Sequence, residues 1–152
     1  MTALTRTARR LPKFRLTAPE QRERDIHEAC AQALDKLLLP PAFWFTYPAG
    51  AVQLSPAETT RLTRIGVKRG LPDIFPLYRG VYCVELKRKG GQLSKTFIGR
   101  TKRGSPRVYV GQEEVFPQLI ATGAIEAIAV CTSVDEMLEQ IGRWQIPIRA
   151  LV

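Results

Sequence analysis

The sequence predicts an α/β domain with a mixed central sheet flanked by helices. Three observations carry that expectation. Ser/Thr-x-x-Glu signatures at Thr17, Ser55 and Ser133 mark helix starts. Short runs rich in aromatic and β-branched residues fall between the helical stretches. Two of those runs, around 73–78 and 81–87, are joined by Arg79-Gly80, which suits a tight hairpin turn. The resulting order is helix, strand, helix, hairpin, helix, strand, helix, which is the pattern of an α/β sandwich.

The elements follow in turn. Thr17-Ala18-Pro19-Glu20 reads as a capping box, and Ile26, Cys30, Ala33, Leu34, Leu37 and Leu38 form the apolar stripe of a helix that Pro40-Pro41 ends. Phe43 to Tyr47 reads as a strand closed by Pro48-Ala49-Gly50. Ser55-Pro56-Ala57-Glu58 opens a short helix to Ile65, with proline at its first helical position. Asp73 to Tyr78 and Val81 to Lys87 are the hairpin strands. Val108-Tyr109-Val110 reads as one arm of a second hairpin. Gln112 to Thr122 reads as a helix kinked at Pro117, Ile125 to Cys131 as a buried strand whose Ile125 to Val130 stretch is core or interface, and Ser133 to Gly142 as the last helix. No internal repeat is visible.

The 152 residues suffice for one domain with a real core. Residues 1–16 read as a flexible basic arm, although their Arg-rich, acid-free composition also resembles an organelle transit peptide. Residues 17–152 read as one domain. The net charge of +9 points to a polyanionic partner. Its distribution is more telling: residues 1–112 carry 21 Lys/Arg against 8 Asp/Glu, and residues 113–152 carry 2 against 6. Cys30, Cys83 and Cys131 are far apart and lie in apolar stretches, which predicts reduced core thiols in an intracellular, cytoplasmic protein. With no C-x-x-C pair and His27 as the single histidine, a zinc site is not expected. No apolar run approaches the roughly 20 residues needed to span a bilayer, so no membrane partner is expected.

The chemistry concentrates in Pro72-Asp73 and Glu85-Leu86-Lys87. Alternation along the second strand puts Glu85 and Lys87 on one face and Val84 and Leu86 on the other. The hairpin brings Asp73 near Glu85. Two carboxylates at that range are costly unless a cation lies between them, and an oxygen-only set points to Mg²⁺ or Mn²⁺. The bland alternative is a turn aspartate and a solvated charge pair on an edge strand. Glu23 is the candidate third carboxylate, because it falls in register with the buried stripe of the first helix; its alternative is a boundary carboxylate paired with Arg22 or Arg24. Lys87 is placed to position an attacking water and to stabilise charge on a scissile phosphate. Gln112 opens a helix and could hydrogen-bond Lys87 or that water; its alternative is an ordinary exposed helix start.

These residues together resemble the VRR-NUC (virus-type replication–repair nuclease) family of the PD-(D/E)XK nuclease superfamily. The resemblance covers about residues 20 to 144. It rests on Glu23, Tyr47-Pro48-Ala49-Gly50, and Ile65 to Asp73 with its glycine-rich approach, then on Val84-Glu85-Leu86-Lys87, Gly91-Gln92-Leu93-Ser94, and Gln112 with Leu119 and Gly123. It implies a restriction-endonuclease-like fold and metal ligation by Glu23, Asp73, Glu85 and the backbone carbonyl of Leu86. It also implies Lys87 near the attacking water, with Gln112 in support. Two departures stand out: Lys95 to Gly111 separate Ser94 from Gln112, which family members usually place close together, and the family's Pro-Asn-Gly turn is Pro48-Ala49-Gly50 here.

The insertion at about 95–110 lies in an acid-free stretch from Arg88 to Gln112 that holds Arg88, Lys89, Lys95, Arg100, Lys102, Arg103 and Arg107. With Lys68 and Arg69 on the approach to Asp73, these are the candidate DNA contacts, a basic hairpin that grips phosphates or reaches into a junction. The alternative is a solvated loop. Phe97 and Tyr109 either stack on bases or pin the loop to the core. The resemblance therefore implies an Mg²⁺- or Mn²⁺-dependent structure-specific DNA endonuclease, acting as a homodimer on branched DNA such as a Holliday junction, and the small size suits a bacterial or phage protein. A monomeric flap or nicking nuclease and a catalytically silent DNA-binding module are the alternatives.

Overall fold

A computed structural model describes residues 22–47 and 54–150. The Thr17–Glu20 capping signature, the basic arm and the Pro48-Ala49-Gly50 turn lie outside them. The described chain runs α1 (Glu23–Leu37), β1 (Phe43–Thr46), α2 (Pro56–Arg64), β2 (Ile74–Leu77), β3 (Val81–Leu86), β4 (Phe97–Arg100), β5 (Pro106–Tyr109), α3 (Gln112–Ala121), β6 (Ile125–Cys131) and α4 (Val134–Arg143). The fold is mixed α/β. Its main sheet has the order β1-β2-β3-β6, antiparallel across the first three strands and parallel between β3 and β6. Strands β4 and β5 form a separate antiparallel ribbon.

One face of the main sheet carries the core. Ile26, Cys30 and Leu34 of α1 and Met137 and Ile141 of α4 pack with Ile74, Val84, Leu86 and Cys131. The i, i+4 spacing in each helix gives a single apolar stripe, and full burial of each aliphatic side chain contributes about 1.5–3 kcal/mol. Glu85 points to the opposite face, towards α3.

Several helix ends differ from the sequence expectation. Helix α1 begins at Glu23 behind an extended Arg22 with no side-chain cap. Glu23 and Asp25 occupy its first turn, where negative charge favours the positive end of the helix dipole. It ends at Leu37, and Leu38 is already extended and bridged to Ile148. Ser55 and Glu58 form the expected reciprocal capping box on α2. At α4 only half a box forms. Ser133 accepts from the Glu136 N–H, but the Glu136 carboxylate takes the Thr132 N–H and hydroxyl instead of returning to Ser133. Helix α4 runs one residue past Gly142, and Pro117 sits inside α3.

The three thiols are free and buried. Burial pushes Cys30 up to about 12 and Cys83 and Cys131 up to about 11, so all three are protonated and inert at neutral pH. Among the described residues no helix is long and apolar enough to cross a membrane.

Candidate functional site

The β2–β3 hairpin builds the centre of the site. It closes at Leu77↔Val81, with Tyr78 N–H bonded to the Gly80 carbonyl and Arg79 in the left-handed region at φ 55°. At its open end Ile74 pairs with Val84, and the Asp73 N–H donates to the Val84 carbonyl (3.1 Å). One further step along this register puts Asp73 opposite Glu85 on the same face. The Leu86 N–H donates to Asp73 Oδ2 (2.8 Å), which fixes the carboxylate at the strand end. The approach to this point passes through Gly70, whose φ of +76° strains any other residue.

Glu85 is only 1% exposed. Its Oε1 accepts from Lys87 Nζ (2.6 Å) and from Gln112 Nε2 (2.5 Å). Its Oε2 is buried with no protein partner. Desolvation, then the neighbouring charge of Asp73, push its carboxyl up to about 7, against the opposing pull of Lys87 and Gln112. A buried carboxylate oxygen without a partner is expensive, so this one calls for a proton or a cation.

Gln112 is placed by a reciprocal pair of bonds with Ser94. The Ser94 N–H donates to Gln112 Oε1 (3.1 Å), and the Gln112 N–H donates to Ser94 Oγ (3.0 Å). The Glu113 N–H adds a bond to the Ser94 carbonyl (3.2 Å). The cap residue Gly111 has no side chain to offer, so Ser94 satisfies the first donors of α3 from across the insertion. The expected partner of Gln112 was Lys87 or a water; its amide reaches Glu85 instead, since both project from the face that α3 covers.

These groups line an open cavity of about 780 Å³, together with Glu23, Leu86, Arg69 and His27. Glu23 is exposed, not buried as its stripe position suggested. It is the first helical residue, a turn before Ile26, and overhangs the cavity rather than the core. Its Oε1 takes the Arg88 N–H at 3.4 Å, while Arg24 pairs with Glu28. Among the described residues no three His, Cys, Asp or Glu side chains group closely enough to hold a metal ion. Asp73 and Glu85 thus stand as a pair, with Glu23 on the cavity wall.

Comparison with protein-family models, curated proteins and solved structures finds no match to this chain.

His27 was missed in the sequence, where it registered only as the lone histidine. It lies one turn after Glu23, so i, i+4 spacing was the available signal. A 3.0 Å hydrogen bond joins its Nε2 to Thr46 Oγ1. The Thr46 hydroxyl gives its one proton to the Asp73 carbonyl (2.8 Å), which makes His27 Nε2 the donor. Among the basic candidates only Arg69 and Lys87 line the cavity. Lys68 is held by Tyr47, whose hydroxyl accepts from its N–H (2.9 Å). Arg88 and Lys89 follow Lys87 just after the end of β3. Lys95 lies at the root of the ribbon against Gly111, Arg100 ends β4, Lys102 and Arg103 occupy the tip, and Arg107 stands over Tyr109.

Chemically, the site offers a pair of carboxylates with one unused buried oxygen, the Lys87 ammonium beside them and Arg69 on the wall of an open cavity. Hard divalent cations such as Mg²⁺ are often held by one or two carboxylates, water and a substrate phosphate, which fits this donor set.

Proposed function

We propose that this protein is a metal-dependent DNA endonuclease of the PD-(D/E)XK type, specific for DNA structure and acting as a homodimer on branched DNA. The observation that carries the reading is the Asp73–Glu85 pair with its unpartnered buried Glu85 Oε2, flanked by Lys87. Paired carboxylates repel phosphate, so a site that only bound DNA gains nothing from setting Asp73 beside the buried Glu85 in its cavity.

Asp73 and Glu85 would hold Mg²⁺ or Mn²⁺, with Glu23 and the Leu86 carbonyl joining from the cavity wall. Bound there, the cation would supply a Lewis acid for the phosphoryl oxygens and lower the pKa of an attacking water. Lys87 contributes fixed positive charge where the pentavalent phosphate accumulates negative charge. Gln112 keeps Glu85 Oε1 turned inward, which leaves Oε2 for the ion. Arg69 and the basic ribbon draw the phosphate backbone to the mouth. Cutting two opposed strands of a four-way junction requires two such sites, which a two-fold dimer supplies.

The test incubates purified protein with labelled four-way junction, flap, duplex and single-stranded DNA in Mg²⁺, Mn²⁺ or EDTA, beside Asp73→Ala. Paired symmetric nicks in the junction, lost in EDTA and in Asp73→Ala, are expected. Cleavage of the other substrates instead would keep the nuclease and discard junction resolution. Binding without cleavage in either metal would leave a DNA-binding module.

A further inference from the structure

The β4–β5 ribbon stands apart from the main sheet, and its two faces differ. The register Phe97↔Tyr109, Ile98↔Val108, Gly99↔Arg107 and Arg100↔Pro106 sorts its side chains by alternation. One face is taken up by stacked rings, although Phe97 stays 59% exposed. Phe97 and Tyr109 stack with ring centroids 5.0 Å apart, and Arg69 and Arg107 stand over the Tyr109 ring at 5.3 and 5.4 Å. The other face carries Ile98, Val108, Pro106 and Arg100. Ile98 is 74% exposed and Val108 58%, directly opposite each other.

The ribbon is also anchored rigidly at its root. Ser94 is tied to Gln112, the Gly111 N–H donates to Thr96 Oγ1 (3.0 Å), and that hydroxyl donates to Glu114 Oε2 (2.7 Å). A Cβ on Gly111 would collide with the Ser94 carbonyl and the Lys95 backbone, so the two stems touch. Because Ser94, Gln112 and Arg69 all line the cavity, the ribbon projects from its rim. Four residues at about 3.3 Å each carry the turn roughly 13 Å outward. Lys102 and Arg103 occupy that turn, which closes through the Thr101 N–H to Ser105 carbonyl and Gly104 N–H to Thr101 carbonyl bonds.

We infer that this ribbon is a branch-point wedge, whose aliphatic face (Ile98, Val108) enters the open step between base pairs at a DNA branch while Arg100, Lys102 and Arg103 hold the flanking phosphates. The inference rests on the nuclease reading for its substrate and names the part of that substrate the ribbon contacts. Proteins that kink DNA insert apolar side chains, isoleucine among them, between base steps. The charge argues for nucleic acid as the occupant: the stretch from Arg88 to Gln112 has no acid to repel it. A cross-strand pair of β-branched residues also stiffens a ribbon. The stacked face already supplies that stiffness, however, and the aliphatic pair is left bare within a basic rim.

The test places 2-aminopurine at the branch point of a four-way junction and, separately, within continuous duplex. The full chain is added in EDTA, so that no strand is cut. A several-fold fluorescence rise at the branch alone is expected, abolished by the double substitution Ile98→Ser, Val108→Ser and retained by Ile98→Val, Val108→Ile. Both positions are exposed, so the melting temperature should not move and serves as the folding control. An equal rise with the serine variant, or no rise from protein shown to be bound, would overturn the wedge. Conversion of a dimer to a monomer by the serine variant would assign the face to a second copy and overturn it too. Cleavage in Mg²⁺ is scored separately: cutting without a fluorescence rise removes the wedge alone, and a rise without cutting removes the nuclease alone.

Discussion

Glu85 offers one carboxylate oxygen to Lys87 and Gln112 and leaves the other buried without a partner. Its carboxyl is raised to about 7 in the folded protein from an ordinary value of 4.5, with burial as the main cause and Asp73 second. Between those values the native state binds more protons than the unfolded chain, so this group's contribution to stability falls as pH rises through the window. A metal ion needs the deprotonated form and reverses that loss. Mg²⁺ should therefore raise the melting temperature more at about pH 8 than at about pH 5.5. Glu85→Gln should flatten both the metal-free slope and the Mg²⁺ effect; equal Mg²⁺ shifts at the two pH values would remove Glu85 from the ligand set. Gln112→Ala deletes a bond that lowers the Glu85 pKa, and should move the acid limb of any pH–rate profile upward while costing about 1–3 kcal/mol in urea unfolding. The Asp73, Glu85 and Lys87 placement was legible in the sequence because strand alternation and a short turn fix it. The burial state of Glu23 was not, because periodicity says which way a residue points but not whether the sheet extends far enough to cover it.

Helix α3 and the ribbon are joined through Ser94, which caps the helix that its own segment lacks the side chain to cap. Two consequences separate contact from capping. Ser94→Ala removes the hydroxyl that accepts the Gln112 N–H and should cost about 1 kcal/mol. Gly111→Ala forces a methyl into the Ser94 and Lys95 backbone, and should loosen the ribbon and displace Gln112 together. Hydrogen exchange should then rise in residues 94–113 and at the first turn of α3 in Gly111→Ala, and less in Ser94→Ala. The reverse ranking would mean that the stems do not depend on close approach. The existence of most elements was legible from their periods and turn residues, and β6 falls at its expected limits, but it is the edge strand of the sheet and only Cys131 is buried, not the whole strand. The clamp was not, because its partners are eighteen residues apart and their pairing depends on an insertion that folds back on its own root. Half of the third capping box failed for a similar local reason: Thr132 competes successfully for the Glu136 carboxylate.

For the molecule as a whole, charge and shape divide the labour. The basic residues are concentrated before residue 113, and the acidic helices α3 and α4 follow on the far side of the sequence boundary. If DNA lies across the cavity mouth and the ribbon, its affinity should depend on counter-ion release, falling with salt by about 0.9 in log–log slope for each phosphate contact. Replacing Arg100, Lys102, Arg103 and Arg107 by Ala should then reduce the slope by up to about 3.6, and weaken binding uniformly across sequences, because phosphate contacts carry no sequence information. Lys87→Ala should act differently. Its side chain is 13% exposed and its ammonium is paired with Glu85, so it adds little to long-range attraction, and its loss should abolish cleavage while leaving the salt slope within about one unit. Fluorescence anisotropy across a salt series, read beside single-turnover cleavage, separates the two. A slope unchanged by the four-residue substitution would place the DNA on another face of the molecule. A slope that collapses with Lys87→Ala would make that lysine a binding group rather than one aimed at the reacting phosphate.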